Sequence, residues 1–172
     1  MDNYVQENQK LALELKALHA SHHKVYATAE SLTAGLIGAT IVNVSGSSAW
    51  FDRGFITYSN KSKEEALGVK HTTLLSHGAV SRETALEMAE GAIANSDADI
   101  AVAVTGIAGP DGGSDEKPVG TVWIGICTRG EQPRATRFVF KGDREAVRAK
   151  TVGEALKALV GATLGKLADC YS

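Results

Sequence analysis

The sequence predicts a single three-layer α/β/α domain built on a mixed, mostly parallel sheet of five or six strands. Three observations predict it. Apolar runs of strand length alternate with segments of helical periodicity along nearly the whole chain, the order that puts helices on both faces of a sheet. One run, Ile100 to Val104, is continuously apolar, as in a strand covered on both sides. Two late strands are joined too briefly for a crossover helix, so they pair antiparallel and make the sheet mixed.

Each element has its own signal. Tyr4, Leu11, Leu15 and Leu18 share one helical face, so residues 4–20 read as an amphipathic helix. Lys24 to Ala29 reads as a short strand, and residues 33–43 as a helix with Leu36, Ile37, Thr40 and Ile41 clustered. Trp50 to Ser59 is rich in aromatic and β-branched residues and reads as a strand. Lys61 to Leu67 reads as a short helix stopped by Gly68, and the stretch holding His71 and His77 is rich in turn formers. Ser81 caps a helix running to about Asn95, with Glu83 favourable in its first turn. After Ile100–Val104 come a glycine loop (Gly106 to Gly113), strands at Val119–Cys127 and Arg134–Phe140, and a long helix from Arg144 to about Leu167. Residues 1–172 read as one domain, with a helix over 1–22 ahead of a core over 24–168.

Composition narrows the function. Hydrophobic residues at 44% and charged residues at 22% exclude disordered and fibrous classes. Eighteen Lys and Arg against 20 Asp and Glu leave a net charge of -2, without the basic surplus that neutralises nucleic-acid phosphates; nucleic acid is not an expected partner. The balance is uneven, for residues 134–172 hold eight basic and four acidic residues, a locally positive segment suited to one small anion. No secretory leader and no apolar run of about 20 residues stands out. Cys127 and Cys170 are isolated, as in reduced thiols. The cytoplasm is therefore the expected location, with no membrane partner. His19, His22 and His23 lie close together but lack an acidic or cysteine partner at ligand spacing, so no metal is expected. A homodimer or higher oligomer fits the general habit of soluble enzymes.

Four segments can carry chemistry. Glu30-Ser31-Leu32-Thr33-Ala34-Gly35 sits at a strand-to-helix junction, where α/β folds bind ligands and a helix start offers backbone N–H groups to anions. There Ser31 is either a nucleophile or, with Thr33, a helix cap. Tyr58-Ser59-Asn60-Lys61-Ser62-Lys63 closes another strand and offers two lysines, either of which burial can turn into a base; both also fit a solvated helix start. The Thr105–Gly113 loop lacks Walker and dinucleotide fingerprints, yet its glycines let backbone approach a ligand. Gly142-Asp143-Arg144 opens the last helix, where Arg144 and Arg148 share a face; a guanidinium there suits a phosphate.

Taken together, Thr28-Ala29-Glu30-Ser31-Leu32-Thr33, Gly46-Ser47-Ser48-Ala49-Trp50-Phe51, Gly54 to Asn60, Gly78-Ala79-Val80-Ser81, Thr105 to Gly113, Lys117 to Thr121 and Gly142-Asp143-Arg144 resemble the C-terminal domain family of the competence-damage protein CinA over residues 24–168. Its stand-alone members include nicotinamide-nucleotide amidohydrolases. The resemblance implies hydrolysis of nicotinamide mononucleotide to nicotinic acid mononucleotide and ammonia, with no cofactor. It places the serine nucleophile on Ser31 and the lysine base on Lys63, with Tyr58 as a relay between them. It places Glu30, Thr33, Ala34, Gly35, Ser48, Asn60, Thr105, Gly106 and Arg144 around a mononucleotide substrate. Many members carry glycine where this chain has Ala34, whose methyl disfavours positive φ, and Lys61 adds a charge beside Lys63. These two departures define the alternative, a catalytically silent paralogue that binds a nucleotide or regulates another protein.

Overall fold

Five strands form one sheet in the order β2-β1-β3-β4-β5. In this computed structural model, which describes residues 2–172, the chain runs α1 (Asp2–His22), β1 (Tyr26–Glu30), α2 (Leu36–Val42), β2 (Phe51–Ile56), α3 (Asn60–Leu67), α4 (His71–His77), α5 (Arg82–Ala94), β3 (Ile100–Gly106), β4 (Thr121–Thr128), β5 (Arg134–Val139) and α6 (Arg144–Leu164). β1 pairs parallel with β2 and β3, while β4 pairs antiparallel with β3 and β5. Only β4 therefore runs against the other four, as the short connection between the last two strands requires.

Alternation along the strands builds two cores. Val122, Ile124 and Ile126 of β4 join Ile100, Val102 and Val104 of β3 under Val152, Leu156 and Leu159 of α6. The opposite face is narrow. Ala27, Ala29, Ala101 and Ala103 pack against Met88, Ala89 and Ala92 of α5, small residues that let the helix sit close to the sheet. A side chain on Gly125 would strike the Ala85 carbonyl of that helix. α1 lies outside, on α6 and α2; Leu15 is buried, and Asn8 Nδ2 donates to the Ala149 carbonyl at 3.0 Å.

Two helix ends and one whole helix depart most from expectation, each for a local reason. α2 begins at Leu36 rather than at residue 33, because Ala34 (φ 47°) and Gly35 (φ 95°) are left-handed. α6 stops at Leu164, where Gly165 takes φ 67°. The stretch expected to be turns contains α4, whose Thr- and His-rich sequence is a poor helix former. Glu87 of α5 supplies what that sequence lacks, accepting from Lys70 N at 2.8 Å and Thr73 Oγ1 at 2.6 Å. Among the described residues no helix is long and apolar enough to cross a membrane.

The topology also locates the site. β1 leads to β2 and β3 leads to β4, in opposite directions across the sheet, so a crevice opens at their carboxyl ends.

Candidate active site

At that crevice the segments after β1, β2 and β3 meet. They line a cleft of about 240 Å³ with Ser31, Leu32, Tyr58, Asn60, Lys63, Ala79, Thr105, Gly106, Ala108 and Arg144. At its floor Lys63 Nζ lies 3.0 Å from Ser31 Oγ and donates to the Thr57 carbonyl at 2.8 Å. Lys63 is only 1% exposed, and this burial, which penalises the ammonium, lowers it from the usual 10.5 to about 8.

Local sequence aims this lysine. Ser59 and Ser62 form a reciprocal cap at the start of α3, each hydroxyl accepting from the other's backbone N–H at 3.1 Å. The cap fixes the first turn, which carries Lys63 inward. Lys61, two residues earlier, stands roughly 200° around the helix. It is solvent-exposed and faces Glu65 at 3.9 Å. Helical phase thus separates the two lysines that the sequence left competing.

Ser31 is free for this contact because another group caps α2. The buried Glu30 carboxylate accepts from the N–H groups of Gly35 (3.2 Å), Ile37 (2.9 Å) and Gly38 (3.0 Å) and from the hydroxyls of Thr28 (3.3 Å) and Thr33 (2.6 Å). A carboxylate at a helix start also meets the positive end of the dipole. Neither Ser31 nor Thr33 acts as the cap. The Glu30 and Thr33 side chains and the left-handed backbone of Ala34 and Gly35 brace the turn behind Ser31, and none of these four residues is among those lining the cleft.

Other expected residues separate in the same way. Asn60 lines the mouth at the first turn of α3. Tyr58 is 62% exposed at the rim and bonds to neither Ser31 nor Lys63; its hydroxyl accepts from Arg144 Nη2 at 3.2 Å. Lys63 reaches Ser31 directly, so no tyrosine relay stands between them. Arg144 also donates through Nη1 to the Gly109 carbonyl at 2.7 Å, bridging the glycine loop and Tyr58 across the mouth. Arg148, which shares its face in sequence, turns elsewhere: Nε donates to the Leu32 carbonyl at 2.9 Å and Nη2 to the Thr33 carbonyl at 3.3 Å. Asp143 is the cap of α6, accepting from Ala146 N at 2.9 Å.

Thr105 and Gly106 line the cleft at the end of β3, with Thr105 Oγ1 donating to the Ala79 carbonyl at 2.8 Å. Packing alone requires glycine at 106, since a Cβ there would sit 2.7 Å from the Thr121 carbonyl oxygen. Ser48 is not part of this cleft. It lies in a short 3-10 turn, Ser47–Ala49, ahead of β2, and because β2 runs parallel to β1 this turn is at the opposite end of the sheet.

Ala79, Ala108, Leu32 and the Thr57 carbonyl were not singled out from the sequence. All four lie inside the motifs, but they act through backbone or shape, which residue type does not signal. Among the described residues, no three His, Cys, Asp or Glu side chains are grouped to hold a metal ion.

The comparisons with known proteins bear on this arrangement. The sequence profile of the CinA C-terminal domain matches residues 8–163. The chain belongs to the CinA C-terminal domain family. Within it, the chain is 47% identical over 155 residues to the nicotinamide-nucleotide amidohydrolase PncC of Escherichia coli K12, covering 90% of this chain and 92% of that one. It is 57% identical over 120 residues to the PncC of Enterobacter agglomerans, covering 70% and 73%. The crystal structure of the competence/damage inducible protein CihA from Agrobacterium tumefaciens superposes with a TM-score of 0.88 at 43% identity, covering 92% of this chain and 96% of that one.

Proposed function

We propose that this CinA-family chain is an amidohydrolase that converts nicotinamide mononucleotide and water to nicotinic acid mononucleotide and ammonia, with Ser31 as nucleophile and Lys63 as its base. The observation that carries this reading is the buried contact of 3.0 Å between Lys63 Nζ and Ser31 Oγ at the floor of an open cleft. The PncC relatives, named for this activity, supply the substrate class.

The chemistry follows from the contacts. A lysine lowered to about 8 is neutral in roughly a tenth of molecules at pH 7. Neutral Lys63 keeps one N–H on the Thr57 carbonyl, which leaves its lone pair for the Ser31 proton. As Ser31 Oγ bonds to the amide carbon, the proton passes to Nζ and the carbonyl π pair moves onto oxygen. The pyridinium withdraws electrons and makes that carbon electrophilic. Collapse breaks the C–N bond, and the Lys63 proton leaves with the nitrogen as ammonia. Water then adds to the Ser31 ester, giving a proton to Nζ. Cleavage of the C–O bond returns that proton to Ser31 and frees the acid. Arg144, exposed at the mouth beside Tyr58, is the group suited to the substrate phosphate.

The alternative of a silent paralogue rested on Ala34 and Lys61. Ala34 reaches a left-handed φ with Ser31 and Lys63 still in contact, and Lys61 points to solvent; both observations support the active reading. Acid quenching during turnover, followed by mass spectrometry, tests it. The peptide containing Ser31 is expected to carry one nicotinoyl ribonucleotide, absent in Ser31→Ala. An adduct on another residue would reject the assignment.

A further inference from the structure

Six of the eight backbone N–H groups from Ser31 to Gly38 have an acceptor within the chain. Ser31 N donates to the Val104 carbonyl at 3.2 Å, Ala34 N to the Ser31 carbonyl at 3.1 Å and Leu36 N to the Thr33 carbonyl at 2.9 Å. Gly35, Ile37 and Gly38 donate to the Glu30 carboxylate. The helix start, an obvious place to look for oxyanion donors, is thus already occupied by a side chain of the protein.

The two N–H groups left without an acceptor among the described residues are those of Leu32 and Thr33, the pair directly after the serine. Leu32 is 4% exposed and Thr33 0%. Buried N–H groups are nearly always paired, so two orphans side by side, at a residue lining the cleft, mark a place for an acceptor that the chain does not provide.

Their direction is held from behind. The Leu32–Thr33 peptide is trans, the one cis bond among the described residues being Gly109–Pro110. In a planar trans peptide the C=O and N–H point to opposite sides. Arg148 grips the Leu32 carbonyl and the neighbouring Thr33 carbonyl, which turns the Thr33 N–H away from α6. The Ser31 carbonyl is likewise held by Ala34 N, which fixes the Leu32 N–H on the same peptide.

The geometry points to the backbone N–H groups of Leu32 and Thr33 as the oxyanion site for the acyl carbon bound to Ser31, with Arg148 as the positioning residue that aims the Thr33 N–H. This rests on the Ser31 reading above. It removes Arg148 from the phosphate candidates and leaves Arg144 as the phosphate group. Donors placed in advance where negative charge develops act on the transition state rather than on the bound substrate, so the effect belongs in kcat.

The test uses the full chain with Arg148→Met and Arg148→Lys, nicotinamide mononucleotide as substrate, and two ligands. One is the mononucleotide carrying an aldehyde in place of the amide. Ser31 adds to it reversibly to give a hemiacetal with no leaving group, which places an oxygen in the proposed site. The other is the product, nicotinic acid mononucleotide. Arg148→Met is expected to lower kcat about 10- to 100-fold, less than the roughly 100- to 1,000-fold lost on deleting an oxyanion donor because here the donor is misaimed rather than removed, with KM changed less than about threefold. The aldehyde should weaken by the same factor as kcat, and the product should not. Arg148→Lys, which keeps the charge and reaches one carbonyl, should lose less. Folding of each variant is checked by thermal unfolding; should Arg148→Met not fold, the lysine variant carries the same comparison. Unchanged kcat in a folded Arg148 variant, or equal loss of product and aldehyde affinity, would overturn the assignment. If the unmodified chain releases ammonia and Ser31→Ala does not, either result sinks this assignment and leaves the Ser31 reading standing. Absence of ammonia release from the unmodified chain would sink the Ser31 reading, and this one with it.

Discussion

Replacing Lys63 by methionine should make the protein more stable at neutral pH relative to its stability at high pH, while abolishing hydrolysis. The folded chain lowers Lys63 from 10.5 to about 8, and at about 1.4 kcal/mol per tenfold in proton affinity this is a differential of about 3 kcal/mol against the folded state. The direction follows from linkage. Below pH 8 both folded and unfolded chains carry the proton, and the full penalty for burying an ammonium stands. Between about 8 and 10.5 the unfolded chain still binds the proton and the folded chain does not, so stability rises with pH. Methionine fills a similar volume without the charge. The substitution also removes the hydrogen bonds to Ser31 and Thr57, at a cost of about 1–3 kcal/mol that does not vary with pH. The informative quantity is therefore the pH dependence of the difference between the two proteins, in which every other titrating group cancels. Urea unfolding at pH 7, 8, 9 and 10 should show the unmodified chain gaining about 2–3 kcal/mol on Lys63→Met between the ends of the series. A constant difference would mean that Lys63 is not held near 8, and the account of its neutral form would fail.

Other consequences are open to measurement. Because Lys63 must be neutral to take the Ser31 proton, kcat/KM should climb about tenfold per pH unit below 8 and level off above it; a flat profile from pH 6 to 9 would exclude Lys63 as the base. Glu30→Gln replaces an acceptor of five hydrogen bonds with an amide that must present its NH₂ to donors. The expected loss in urea unfolding is on the order of 2–4 kcal/mol, and a loss under 1 kcal/mol would show that the carboxylate does not hold the turn. Ala34→Gly relieves a left-handed alanine, φ 47°, worth roughly 1–2 kcal/mol, against the extra freedom glycine gives the unfolded chain, about 0.5–1 kcal/mol. The variant should be as stable or up to about 1 kcal/mol more stable. Gly35→Ala should instead lose stability, its φ being 95° with Ile56 Cδ1 only 3.1 Å from the added carbon.

Much of this was legible in the sequence, and particular residues show why the rest was not. Apolar, aromatic and β-branched runs and helical periodicity mark all five strands and most helices because they report burial, which sequence records directly. α4 escaped because its start is held by Glu87, a residue on another helix, and no local pattern encodes that. Residue types alone leave Lys61 and Lys63 competing; the family resemblance picks Lys63, and the phase of α3 brings that lysine to Ser31 and turns Lys61 to solvent. Glu30 is visible as part of the motif, but its capping contacts are not, since its partners are mainly backbone N–H groups that any side chain could carry. Arg148 illustrates the same limit. A guanidinium near a helix start suggests an anion, whereas here it binds carbonyl oxygens. Ser48 was placed by motif alone, and strand direction puts it at the other end of the sheet.

The measurement that bears most directly on the central claim is ammonia release from nicotinamide mononucleotide by the purified chain, with Ser31→Ala beside it. The account predicts one ammonia per nicotinic acid mononucleotide formed by the unmodified protein and none above background from the variant. No release by the unmodified protein, or equal release by Ser31→Ala, would contradict it.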